Sequence, residues 1–173
     1  MLMKNNKKAF FFDRDNTLIK DNGYTYKVKD LKFLNSVKKT IKFLNEKNIY
    51  VIVLTNQSGI ARGYYKLKDV KFFHEFMNNE LQKTKAKIDD FLICGCHPNF
   101  PKINTNCKCR KPSKTMIIKA LNKWSLKKEN VFMIGDKYTD KLAAKNAGIK
   151  FQYKSKNNNL YNQVKKIVLK NFN

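Results

Sequence analysis

Two carboxylates stand one residue apart where a short apolar run stops, in Phe10-Phe11-Phe12-Asp13-Arg14-Asp15-Asn16-Thr17-Leu18. The run reads as a buried strand, and an open α/β sheet carries its chemistry at such strand ends. Side chains at i and i+2 share a face, so both acids project together. Two acids that close repel unless a cation sits between them, and a hard cation with oxygen ligands such as Mg²⁺ suits the pair. The alternative is a strand-closing turn with solvated carboxylates.

Three further polar groups fall at the ends of predicted elements: Thr55 with Asn56, Lys111, and Asp136 with Asp140. In a parallel sheet the strand C-termini lie along one edge, so these groups can converge with Asp13 and Asp15. The set reads as phosphoryl transfer. Asp13 would attack phosphorus to form an aspartyl-phosphate, while Asp15 protonates the leaving alkoxide and later activates water. Asp13, Asp15 and Asp136 are the expected Mg²⁺ ligands, and Thr55 and Lys111 would hold the phosphoryl oxygens as charge develops there. Taken singly, Thr55 also reads as a hydroxyl bonding its own backbone, and Asp136 and Asp140 as helix caps.

All four cysteines fall in two tight pairs, Cys94-x-Cys96 and Cys107-x-Cys109, within a stretch of about 94–112 that also holds every proline. Four sulfurs suit a closed structural Zn²⁺ site, with free buried thiols as the alternative, and disulfides are not expected in a cytoplasmic chain. A zinc ion there would fold the loop that delivers Arg110 and Lys111, so its role would be positional. His74 falls on a helix face and reads as a surface or half-buried residue rather than a ligand.

These groups need a scaffold. Residues 50–54 and 131–134 are continuous apolar runs typical of strands covered on both faces, 91–93 is a third such strand, and 151–153 is a candidate edge strand. Between them, helical spacing appears at Val37, Thr40, Ile41 and Leu44 behind a Ser36 cap, and at Val70, Phe73, Met77 and Leu81. It recurs at Met116, Ile117, Ala120, Leu121 and Trp124, at Thr139 to Asn146 before a Gly148 stop, and at Leu160, Val164, Ile167 and Val168. Strands alternating with helices predict an α/β, doubly wound parallel sheet of Rossmann type, in one domain over residues 1–173 with no large cap domain.

The balance of 37 Lys+Arg against 13 Asp+Glu gives a net charge of +24. The lysines are scattered over every predicted helix face rather than gathered in a stripe, so the charge favours an anionic small substrate over a specific nucleic-acid surface. A nucleic-acid-binding zinc module, or a DNA 3′-phosphatase on the same scaffold, is the competing class. Only Arg14, Arg62 and Arg110 are arginines, and in so lysine-rich a chain they mark sites needing a planar, bidentate donor for phosphate or carboxylate. Residues 1–8 are basic, but the apolar run after them ends after four residues at Asp13, so neither a signal peptide nor a membrane span is expected, and the location is expected to be cytoplasmic.

In these motifs the chain resembles the haloacid dehalogenase-like phosphohydrolases, and within them the D-glycero-D-manno-heptose 1,7-bisphosphate 7-phosphatases and related histidinol-phosphatases. The matching stretches are 13–18, Gly23-Tyr24, Thr55-Asn56-Gln57-Ser58-Gly59-Ile60-Ala61-Arg62-Gly63, Cys109-Arg110-Lys111-Pro112 and Gly135-Asp136-Lys137-Tyr138-Thr139-Asp140. The Ser-Gly-Ile-Ala-Arg-Gly continuation and the long metal loop favour the heptose branch over histidinol-phosphate. The resemblance implies a Mg²⁺-dependent enzyme acting on a sugar phosphate, which we expect to be monomeric. It further implies that Asp21, Asn22, Gly23, Tyr24, Asn56, Gln57 and Ser58 line the substrate beside Thr55, that Arg110 reads it, and that Lys137 lies near both substrate and metal. The related enzymes use Cys-x-His for the first ligand pair, which leaves Cys96 or His97 as the fourth zinc ligand, and we expect Cys96. Asn16 stands where the family commonly has Gly.

Overall fold

The computed structural model describes residues 6–100, 107–156 and 159–172. Residues 1–5 of the basic N-terminal stretch and 101–106 of the expected zinc loop lie outside the described residues. Five strands, β1 (Lys8–Phe12), β2 (Ile49–Asn56), β3 (Asp90–Cys94), β4 (Val131–Gly135) and β5 (Lys150–Tyr153), form one parallel sheet in the order β3-β2-β1-β4-β5. Five helices connect or follow them: α1 (Val37–Glu46), α2 (Leu67–Gln82), α3 (Thr115–Trp124), α4 (Tyr138–Ala147) and α5 (Leu160–Asn171). The fold is the expected doubly wound α/β sheet.

The two-residue periodicity of β1 divides the interior. Phe10 and Phe12 enter a core with Ile41 and Leu44 of α1, Phe73 and Met77 of α2, and Val164 and Val168 of α5. Ala9 and Phe11 point the other way, into a core with Met116 and Ala120 of α3 and Ala143, Ala144 and Ala147 of α4. Both faces of the sheet are therefore covered, which is why its central strands carry no alternating polar residues. The chain leaves β1 toward β2 and β3, then crosses to β4 and β5 on the opposite side. The order thus reverses beside β1, where such sheets open a crevice at their carboxyl ends.

Most boundaries match the periodicity, with instructive differences. β2 continues through Thr55 and Asn56, because both still pair with β3, at Ile93 and Cys94. Ser36 occupies the position before α1 but does not cap it through its side chain. It adopts a left-handed backbone (φ 63°), and its hydroxyl accepts the N–H of Tyr161 in α5 at 3.2 Å. Gly148 ends α4 in a left-handed conformation (φ 75°) as expected. His74 is buried at 3 % exposure, not on the surface, because α2 turns it inward against Phe91.

Candidate active site

The N–H of Asp13 donates to the Ile134 carbonyl at 3.0 Å, which continues the β1–β4 ladder by one residue and seats Asp13 beside Gly135 and Asp136. Lys111 arrives from the cysteine-bearing loop and is 2 % exposed. Its Nζ lies 2.6 Å from Asp13 Oδ1, 2.7 Å from Asp140 Oδ1 and 2.7 Å from the Leu54 carbonyl. Burial pulls the ammonium toward neutrality, but the two carboxylates outweigh it and its pKa is raised. Asp140 also accepts the Lys137 N–H on Oδ2 at 3.0 Å, so it is both the helix cap foreseen and a member of the charged centre. Gly135 makes this approach possible, since a Cβ there would lie 2.5 Å from Asp140 Oδ2.

Carboxylate oxygens of Asp13, Asp136 and Asp140 lie within 4.8 Å of one another. Asp136 Oδ1 is buried with no hydrogen-bond partner among the described residues, and the Asp136 carboxyl is pushed up to about 6 by burial and by the Asp13 charge. An all-oxygen, mutually repelling set with an orphaned acceptor fits a hard divalent cation. The expected ligand set was Asp13, Asp15 and Asp136; the side-chain cluster brings Asp140 together with Asp13 and Asp136. Asp136 and Asp140 are four residues apart across the start of α4, the spacing that brings side chains together, and that was the available signal.

The Asp15 carboxylate is instead held by its neighbours. Arg14 Nε donates to Asp15 Oδ1 at 2.9 Å and Nη2 to Oδ2 at 3.1 Å, while Gln57 Nε2 donates to Oδ2 at 2.9 Å. Burial raises the Asp15 pKa against the lowering effect of Arg14. Gln57 is itself pinned: it donates to Thr55 Oγ1 at 2.8 Å and accepts the Tyr65 hydroxyl at 2.8 Å. Tyr65, buried with a pKa pushed up to about 12 by desolvation, had no sequence signal.

A cleft of about 700 Å³ opens over these groups. Its lining includes Asp13, Asp15, Lys111 and Asp140 on the floor, with Asp21, Gly23, Tyr24, Asn56, Gln57, Ser58, Arg110 and Lys137 around them. Thr55 and Asp136 lie outside that lining, Thr55 wholly buried below it, and the Asn22 side chain does not reach it. Asp21 shapes the 21–25 turn by accepting the Gly23 N–H and the Thr25 hydroxyl on Oδ1, with Gly23 at φ 88°. Asn16 sits at φ 57°, a conformation Asn tolerates better than most residues, which explains how it can replace Gly.

The four sulfurs of Cys94, Cys96, Cys107 and Cys109 form one cluster, all within 4.8 Å of one another. They pair as disulfides, Cys94 with Cys109 and Cys96 with Cys107, where the sequence reading expected none. The loop converges all four side chains so tightly that Cys107 and Cys109 Sγ are also only 3.0 Å apart, and Cys94 and Cys107 Sγ 3.7 Å. A tetrahedral site with Zn–S bonds near 2.3 Å spaces its sulfurs by roughly 3.8 Å, so the same cluster needs little expansion to take the ion as thiolates. His97 lies outside it: Nδ1 accepts the Asn99 N–H at 3.2 Å and Nε2 faces Arg62 Nη2 at 3.5 Å.

The family model described as HAD-hyrolase-like matches residues 108–153. The D-glycero-beta-D-manno-heptose-1,7-bisphosphate 7-phosphatase of Haemophilus ducreyi is 36% identical over 149 residues, 83% of this chain and 80% of that protein. The D-glycero-alpha-D-manno-heptose-1,7-bisphosphate 7-phosphatase of Campylobacter jejuni is 37% identical over 142 residues, 82% and 78% of the two chains. Among solved structures, D,D-heptose 1.7-bisphosphate phosphatase from B. bronchiseptica, complexed with magnesium and phosphate, superposes with a TM-score of 0.79 at 21% identity, covering 94% of this chain and 99% of that one. The chain belongs to the HAD-like hydrolases, in the family of the heptose-1,7-bisphosphate 7-phosphatases, and is a phosphoric monoester hydrolase. Among the described residues no helix is long and apolar enough to cross a membrane.

Proposed function

We propose that this enzyme removes the C7 phosphate of D-glycero-D-manno-heptose 1,7-bisphosphate through an aspartyl-phosphate on Asp13. The observation that carries the reading is the Asp13–Lys111 contact of 2.6 Å in a cleft that Asp15, bonded to Arg14 and Gln57, also lines. Lys111 occupies one Asp13 oxygen and leaves the other to attack phosphorus. Asp15, with its raised pKa, is suited to give a proton to the departing sugar oxygen. It then takes one from the water that attacks the aspartyl-phosphate, releasing phosphate and restoring Asp13. Asp13, Asp136 and Asp140 would hold a Mg²⁺ ion, which when bound neutralises charge on the phosphoryl oxygens.

The bisphosphate assignment draws on the names of the relatives and on Arg110, which faces the cleft with a guanidinium free of any carboxylate among the described residues. The cysteine cluster would hold structural zinc in a reducing cytoplasm, with the protein acting as a monomer on a small sugar phosphate and with no specific nucleic acid or membrane partner. Steady-state phosphate release from a side-by-side panel of the heptose 1,7-bisphosphate, histidinol-phosphate and a 3′-phosphorylated oligonucleotide tests the reading. The heptose ester should give the highest kcat/KM, and a preference for either other ester would sink the assignment. Asp13→Asn should abolish turnover on the whole panel with the fold intact.

A further inference from the structure

Arg14 lies between the two catalytic acids in the chain yet does not line the cleft, and its side chain is wholly buried. Alternation along the strand end sends it away from the side to which Asp13 and Asp15 project. A buried guanidinium that cannot shed its proton is tolerated only where its donors are satisfied. Here each of its three nitrogens has a partner, drawn from several segments of the chain. Besides the two bonds to Asp15, Nη2 donates to the Thr25 carbonyl at 2.8 Å, and Nη1 lies 3.2 Å from His74 Nε2 in α2. The guanidinium carbon sits 5.2 Å from the Phe73 ring centroid.

His74 is built to accept. Its ring stacks on Phe91 of β3 at 4.2 Å and 16°. Burial first, and then the Arg14 charge, push its pKa down to about 2, so the imidazole is neutral. Since Arg14 has only donors, Nε2 must be the unprotonated nitrogen. The fork is thus clamped at His74 and Thr25 on one side and grips Asp15 on the other. Both Asp15 oxygens meet the fork: Oδ1 accepts from Nε at 2.9 Å and lies 2.8 Å from Nη2, while Oδ2 lies 3.1 Å from Nη2 and accepts from Gln57 Nε2 at 2.9 Å.

We infer that Arg14 and His74 are positioning residues for the acid–base step: His74 fixes the Arg14 fork, and the fork holds the Asp15 carboxyl in the orientation from which it serves the leaving oxygen. The inference rests on the reading of Asp15 as general acid and goes beyond it by naming what aims the carboxyl. A residue that only filled the core would slow all substrates alike or none. One that aims a general acid matters in proportion to how badly the leaving group needs its proton.

The test compares the heptose bisphosphate, whose leaving group is a poor alkoxide, with p-nitrophenyl phosphate, whose leaving group departs with little help. His74→Phe keeps the ring stack and removes the acceptor. Its kcat on the sugar ester should fall roughly ten- to a hundredfold with KM nearly unchanged, while the aryl ester loses less than about threefold. His74→Gln, which supplies an amide oxygen as acceptor, should recover most of that loss. Thermal unfolding confirms that each variant is folded, and if His74→Phe is not, Arg14→Lys carries the same comparison, keeping the charge without the fork. Equal losses on both esters, or no loss on either, would overturn the positioning role. Asp15→Asn run alongside separates the two readings: if it shows no leaving-group selectivity, the assignment of Asp15 fails. If it does while the His74 and Arg14 variants do not, only the positioning role fails.

Discussion

Asn56, the last residue of β2, donates from Nδ2 to the Lys111 carbonyl at 3.1 Å and accepts the Lys111 N–H on Oδ1 at 3.1 Å. One amide thereby satisfies both backbone groups of a residue 55 positions away and sews the cysteine-bearing loop to the sheet edge. These bonds fix the backbone from which the Lys111 ammonium reaches Asp13 and Asp140. Asn56→Ala should lower kcat by roughly ten- to a hundredfold, as expected when two polar groups lose their partner. Steady-state kinetics decide the point, because a change confined to KM would mean that Asn56 serves binding alone.

The cysteine cluster makes a compositional prediction. Protein purified under reducing conditions should carry about one zinc per chain by elemental analysis, and chelation should loosen the loop before Lys111 without unfolding the sheet. Cys96→Ser should weaken zinc retention more than His97→Ala, since the Cys96 sulfur lies inside the cluster and both His97 nitrogens are turned to other partners. The reverse order would assign the fourth ligand to His97.

Arg110 separates bisphosphates from monophosphates. Its Nη1 is anchored on the Cys96 carbonyl at 3.2 Å, which aims the guanidinium from the cysteine loop. Arg110→Lys should reduce kcat/KM for the heptose bisphosphate by roughly ten- to a hundredfold, the loss of about 1.4–3 kcal/mol expected for one charge-assisted contact. An aryl monophosphate should barely change. Equal loss on both would place Arg110 at the transferred phosphoryl group.

His74 gives the protein an acid sensitivity whose sign follows from its buried, neutral state. Its pKa falls from 6.5 to about 2 on folding, so below pH 6.5 the unfolded chain binds a proton that the folded chain does not. Stability from this residue therefore drops as pH falls, by about 2 kcal/mol between pH 6.5 and 5. The Asp136 carboxyl, raised to about 6, titrates in the same window with the opposite sign, so the comparison must be between wild type and His74→Gln. Denaturant unfolding at several pH values should show the variant gaining stability relative to wild type as pH falls from 6.5 to 5, and parallel profiles would remove His74 as the cause.

The sequence by itself determined the class of fold, the strand-end acids and the family, because each is written in short stretches. Two-residue and helical periodicities report which faces are buried, and the motif around Asp13 and Asp15 is contiguous. What only the tertiary structure decided is how distant stretches share their partners. Lys111 meets Asp13 across 98 positions, Gln57 meets Asp15 across 42, and Arg14 meets His74 across 60. Spacing could pair Asp136 with Asp140, but it could not say that Arg14 would take the Asp15 carboxylate, or that a histidine on an amphipathic helix would be buried as an acceptor. Those outcomes come from packing helices on both faces of one sheet, where each buried donor must find an acceptor and each buried charge a counter-charge.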